Sequence, residues 1–245
     1  IMNILLILTT FSFAFSTDLP SVKNLFSNKK YLDSNDLIQS LISEDSTNAS
    51  FYHMASKINL KLDDLSLANK NINKAIELDP SNEDYRKFWS DLNDMRSNLN
   101  DAQKSFENGF TDESINAYEK IIVQYPEFAL AYYNFGLIYY RTEDFDKAVD
   151  NFKKALIFNP YNDKYKQSIS NIAAKLTQKG NDEYRRSEYE SAINFYSKAV
   201  DYDPTFSESR FKIALIKNKL SDYEGAKRVL LDNIFYDNKH VQSFK

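Results

Sequence analysis

The side chains able to do chemistry are few in this chain and widely spaced. Two histidines, His53 and His240, stand far apart, and a general base needs a partner and a pocket. There is no cysteine, which removes disulfides, thiolate catalysis, lipid anchoring through Cys and zinc-finger sites. Glycines at 109, 136, 180 and 225 are too scattered to cradle a phosphate. Carboxylate pairs such as Glu83-Asp84 and Asp182-Glu183 fit solvated helix faces or first turns, where they complement the helix dipole. Lys29-Lys30 and Arg185-Arg186 are short, and the net charge is −4, so nothing tracks a nucleic-acid backbone. Catalysis, cofactors and metals find no foothold, and protein binding is the chemistry that remains. Asn48-Ala49-Ser50 is a glycosylation triplet, of use only in a secretory lumen.

The elements that position these residues are punctuated by proline. Apart from Pro20, the prolines are Pro80, Pro126, Pro160 and Pro204, and small residues recur ahead of them: Ala68 and Ala75, then Ala148 and Ala155, then Ala192 and Ala199. In the clearest copy, Tyr132, Phe135 and Tyr139 are spaced three and four apart and form one apolar stripe of a first helix. Gly136 and Ala148 are small where two helices must cross closely. Phe152 and Ala155 continue the second stripe, and Pro160 stops that helix. At these positions the chain resembles the tetratricopeptide repeat family. The resemblance implies an all-α fold, a right-handed superhelix or α-solenoid of helix-turn-helix repeats with a concave groove.

Pro126 and Pro160 are 34 residues apart, one standard period, whereas the neighbouring spacings are 46 and 44. The extra segments, EDYRKFWSDLNDM and KYKQSISNIAAKL, lack glycine and proline and keep helical apolar spacing, so they read as extensions of the following first helix. The array is expected over 17–240: a degenerate copy at 17–48, then 49–82, 83–128, 129–162, 163–206 and 207–240. Residues 241–245 read as the start of a further segment, with the expectation that the natural protein continues and that its distinctive activity lies there. Trp89, in the first extension, is expected to pack against the preceding repeat.

Carried over from the family by position, the groove residues are His53, Lys57 and Lys61, then Gln103 and Phe106. Tyr133, Asn134, Leu137, Tyr140 and Arg141 follow, with Asn181, Tyr184 and Arg185 next and Phe211, Lys212, Leu215 and Lys219 last. Aromatic faces and cations in one row suit an extended polypeptide, although Tyr133 and Tyr140 equally suit the space between neighbouring first helices. The Lys179-Gly180-Asn181 start resembles chaperone-associated repeats that clamp a terminal carboxylate. Only part of that set is present: Asn181 and Asn134 match, while Thr177, Lys212, Leu99 and Gln103 stand at other clamp positions.

Residues 4–15, ILLILTTFSFAF, form an apolar run of 12, the size of a signal-peptide core and far below the roughly 20 needed to span a bilayer. Small residues Ala14 and Ser16 suit cleavage, so 1–16 is expected to be a signal peptide directing the chain to the secretory pathway, with the endoplasmic-reticulum lumen first and a secreted or periplasmic location second. Signal, repeats and over-long spacings together resemble the lumenal region of endoplasmic-reticulum J-domain co-chaperones. That resemblance implies unfolded clients in the groove and an Hsp70 engaged through a C-terminal J domain, whose His-Pro-Asp motif is absent from this sequence. Two other readings stay open: a scaffold binding one defined partner, and an adaptor that keeps its apolar start.

Overall fold

The computed structural model describes residues 18–242, and the described residues form twelve α-helices and no strand. In chain order these are α1 (Leu19–Ser27), α2 (Tyr31–Glu44), α3 (Ala49–Lys61), α4 (Leu65–Leu78), α5 (Glu83–Glu107) and α6 (Thr111–Gln124). They continue with α7 (Ala129–Arg141), α8 (Phe145–Phe158), α9 (Asp163–Arg185), α10 (Tyr189–Tyr202), α11 (Ser207–Lys219) and α12 (Tyr223–Gln242). One compact unit ends at Arg96 and a second begins at Ser97. The expected signal peptide at 1–16 lies outside the described residues, as does the side chain of His240. α12 passes residue 240 without a break.

Helix lengths follow the proline spacings. First helices α3, α7 and α11 have 13 residues each, while α5 has 25 and α9 has 23. The four repeat prolines stand in the turns that follow α4, α6, α8 and α10.

In the first unit Val22, Ile38, Leu41, Met54, Ala55 and Ile58 form one buried cluster, and Ala68, Ile72, Ala75, Tyr85 and Leu92 form the next. Buried polar groups are paired across the hairpins. Ser56 Oγ donates to the Ala68 carbonyl at 2.6 Å, Ser34 Oγ to that of Val22 at 3.2 Å, and Asn71 Nδ2 to Asn59 Oδ1 at 2.8 Å. Trp89 departs from expectation and is 42 % exposed. Tyr85, Phe88 and Leu92 take the inward stripe of α5 at three- and four-residue spacing, which leaves the position after Phe88 turned away.

In the second unit the largest cluster runs from α8 to α10 through Phe145, Val149, Phe152, Ile172 and Leu176. Full burial of each such side chain contributes about 1.5–3 kcal/mol. The crossings are tight at both glycines. A Cβ on Gly136 would stand 2.6 Å from the Phe152 ring and 3.2 Å from the Ala148 carbonyl, and one on Gly180 would stand 2.6 Å from the Tyr196 ring.

Each hairpin turn carries one residue in the left-handed region: Lys29, Asp63, Gly109, Glu143, Ser187 and Ser221. Backbone hydrogen bonds reaching back five residues close most of these turns, from the N–H of Lys30 to Leu25, Asp64 to Asn59, Phe110 to Ser105, Glu188 to Glu183 and Asp222 to Lys217. This closure satisfies carbonyls at the helix ends and offsets the strain at Lys29, Asp63, Ser187 and Ser221. Asp64, Asp144 and Asp222 then cap the second helices, accepting from the backbone of Leu67, Lys147 and Gly225, each cap worth about 1 kcal/mol.

Candidate protein-binding faces

In the second unit the family-derived row falls on α5, α7, α9 and α11, and its members divide into two groups. Tyr133 belongs to the core: its ring is 4.6 Å from that of Tyr165 and 5.6 Å from that of Phe152. Leu137 and Tyr140 are half-buried against the α8–α10 cluster, with Lys175 5.5 Å over the Tyr140 ring. Asn134 is half-buried towards Tyr118, a phenol that burial pushes up to about 12 while the Asn134 amide acts the other way. Asn181 accepts the Tyr196 hydroxyl at 2.8 Å, and the Thr177 hydroxyl bonds the Ala173 carbonyl and Ser209. The groups of the partial carboxylate clamp are thus engaged inside the repeats.

The second group faces outward. Arg141 lies 5.4 Å from the centre of the Phe106 ring. Lys219 stands over Tyr184 and Tyr189 at 5.8 and 5.2 Å, and those two rings are 5.6 Å apart. A hydrogen bond from the Lys219 ammonium lowers the Tyr189 phenol and raises the lysine. Phe211 and Leu215 are 54 % and 42 % exposed, Lys212 is half-buried beside them, and Arg185 pairs with Asp182 at 3.0 Å. This surface offers apolar area edged by cations, the composition of an interface anchor.

In the first unit, half-buried His53 on α3 meets the rings of Tyr85 at 4.6 Å and Phe88 at 5.4 Å. Burial holds its imidazole down at about 4, with Lys57 and Lys23 adding to the effect and Asp84 opposing it. Lys57 lies 5.8 Å over Phe88, and Lys61 is half-buried at the end of the same helix. Lys23 and Phe88 were not in the sequence-derived row. A signal for Lys23 exists, since it precedes Lys57 by one 34-residue period; Phe88 comes from the extension of α5, which a uniform repeat does not contain.

Other charges are absorbed by structure. Glu143 holds Lys175 at 2.8 Å and Lys179 at 2.7 Å, and hydrogen bonds from these lysines depress its carboxyl to about 2. Asp146 pairs with Lys198 at 2.7 Å and accepts from the Tyr202 hydroxyl. Asn48 caps α3, its Oδ1 accepting from the Ser50 N–H at 3.1 Å and the Ser50 hydroxyl at 2.7 Å. Away from the groove positions, each unit carries a cleft at matching repeat positions: about 550 Å³ beside Ile42, Tyr52 and Lys74, and about 480 Å³ beside Ile122, Tyr132 and Lys154. Among the described residues no group of three His, Asp or Glu side chains could hold a metal ion, and no helix is long and apolar enough to cross a membrane.

Hairpins of this kind, joined by short turns and built on small residues at the crossings, define an all-α helical-repeat fold of the solenoid class. Within it, residues 49–82 and 129–162 match the tetratricopeptide repeat family, so the chain carries tetratricopeptide repeats. No curated protein matches the sequence. Similar solved structures include MamA 41-end from Desulfovibrio magneticus RS-1, at 14 % identity over 76 % of this chain and 93 % of that one, TM-score 0.29. The P58(IPK) TPR domain shows 14 % identity over 90 % and 83 %, TM-score 0.36. YrrB, a TPR protein with an unusual peptide-binding site, shows 16 % over 83 % and 94 %, TM-score 0.27. Likenesses at this level say nothing of what the present chain binds.

Proposed function

We propose that this chain is a non-catalytic protein-binding domain of the secretory pathway, holding extended or unfolded polypeptide against the first helices of its repeats in the manner of a co-chaperone. One observation carries the reading: Phe211 and Leu215 stand exposed on α11 beside the Tyr184–Lys219 pair, an apolar surface edged by cations. Aromatic and aliphatic faces take client side chains, and Lys and Arg take main-chain carbonyls and acidic groups. The apolar run at 4–15 and the glycosylation triplet at Asn48 support the compartment, with the endoplasmic-reticulum lumen as the first assignment.

Suppression of aggregation of a denatured client tests it. The triple change Tyr184→Ala, Phe211→Ala and Leu215→Ala is expected to remove suppression while leaving the helical circular dichroism intact; unchanged suppression would overturn the proposal. Tyr140 is left alone in this design because its packing on the core would confuse lost binding with lost structure. A second reading, a scaffold for one defined partner, is favoured by the two matching clefts beside the second helices. It expects a single stoichiometric partner whose binding survives the triple change.

A further inference from the structure

The face around His53 gathers positive charge that its own unit does not neutralise. Lys57 on α3 and Lys23 on α1 act on each other and on His53, and neither forms an ion pair among the described residues. Beneath Lys57 lies the half-buried Phe88 ring, and Tyr85 closes the other side of His53, whose Nε2 is buried with no hydrogen-bond partner. The carboxylate acting on His53 and Lys57 is that of Asp84, an exposed residue of α5. Elsewhere in the chain lysines in comparable settings are matched, as Lys175 and Lys179 are by Glu143.

We propose that this face recognises an acidic stretch of a bound polypeptide, seating a Glu or Asp side chain against Lys23 and Lys57 and an apolar neighbour on Phe88. The inference rests on the protein-binding reading above and names the chemistry of the partner. A carboxylate placed here offsets the repulsion between two lysines and leaves Phe88 available to the adjacent side chain. It also removes part of what keeps His53 neutral. In the free protein burial first, and then the two lysines, hold that imidazole at about 4; a docked acid offsets the lysines' share, so affinity rises as pH falls towards that range. Phosphates would also meet two lysines, but a chain of net charge −4 without a basic run favours the peptide.

Fluorescence anisotropy on the full chain at low salt tests the inference with three dye-labelled probes. These are a short peptide alternating Glu pairs with Leu and Phe, its Gln-for-Glu counterpart, and a short oligo-dT. The Glu peptide is expected to bind about tenfold more tightly than the Gln peptide, and Lys23→Glu with Lys57→Glu should erase that preference. Lowering the pH from about 7.5 to about 5.5 should tighten Glu-peptide binding about threefold, and His53→Phe should abolish this gain. If Lys57→Glu perturbs the helical signal, Lys23→Glu on its exposed site carries the test alone. Equal binding of Glu and Gln peptides overturns the inference and leaves the protein-binding reading standing. Binding of neither peptide overturns both, and oligo-dT binding more tightly than the Glu peptide overturns the choice of partner.

Discussion

The hairpins 49–82 and 129–162 match the same repeat pattern and solve its central problem differently. Where the helices cross, the first places Ser56 opposite Ala68 and the second places Gly136 opposite Ala148. Ser56 carries a hydroxyl where the residue 16 positions on is Ile72 and not a ring, and that hydroxyl ties the Ala68 carbonyl at 2.6 Å. At the second crossing Phe152 fills the corresponding space, so close that even a Cβ on Gly136 would meet its ring at 2.6 Å. Gly180 and Tyr196 repeat the second solution. Small residue and ring are therefore a matched pair, and volume is exchanged between positions 16 residues apart without altering the hairpin.

Breaking the second solution should have the largest effect. Gly136→Ser is expected to lower stability by about 2–3 kcal/mol in urea denaturation. Combining Gly136→Ser with Phe152→Ile, which installs the arrangement of the first hairpin, should recover much of that loss; an additive loss would show that the two positions are not coupled. Ser56→Ala comes next, about 1 kcal/mol for the lost buried hydrogen bond to the Ala68 carbonyl.

The hairpins also differ in how they treat charge, and pH separates them. His53 holds about 4 in the folded chain against about 6.5 unfolded, so the unfolded state binds more protons in between. Stability should fall as pH drops from 6.5 to 4, by about 1 kcal/mol once solvent screening of this half-exposed group is allowed for. His53→Phe should flatten that slope. Glu143 acts over a lower range. Its carboxyl is depressed to about 2, so its contribution is complete above about pH 4.5 and disappears as pH falls towards 2. Glu143→Gln should be the smallest change, a slight loss at neutral pH, where the exposed ion pairs are complete, that fades as pH falls from about 4.5 towards 2.

What the sequence made legible is local. Residues three and four apart, small residues at crossings and prolines after second helices are enough to place the hairpins, and the lack of glycine and proline in EDYRKFWSDLNDM and KYKQSISNIAAKL is enough to read α5 and α9 as long helices. Orientation within the long helices was harder. Trp89 differs from Phe88 by one residue, about 100° of rotation, and hydrophobicity alone assigned it inward. Contacts between repeats were harder still. Tyr133 follows the groove register yet is claimed by Tyr165, and Lys23 meets Lys57 only because α1 lies on the next hairpin.

The cap on α3 has a consequence for anyone studying a sugar on this chain. An N-linked glycan would attach through Nδ2 of Asn48, while the helix start is held by Oδ1 of the same amide, so attachment and capping are chemically compatible. The customary control does not share that separation. Asn48→Gln deletes the acceptor and displaces the cap together, at a cost of about 1 kcal/mol that has nothing to do with carbohydrate. Changing Ser50 instead leaves the amide oxygen and its backbone donor in place, and is the cleaner way to obtain the unglycosylated form.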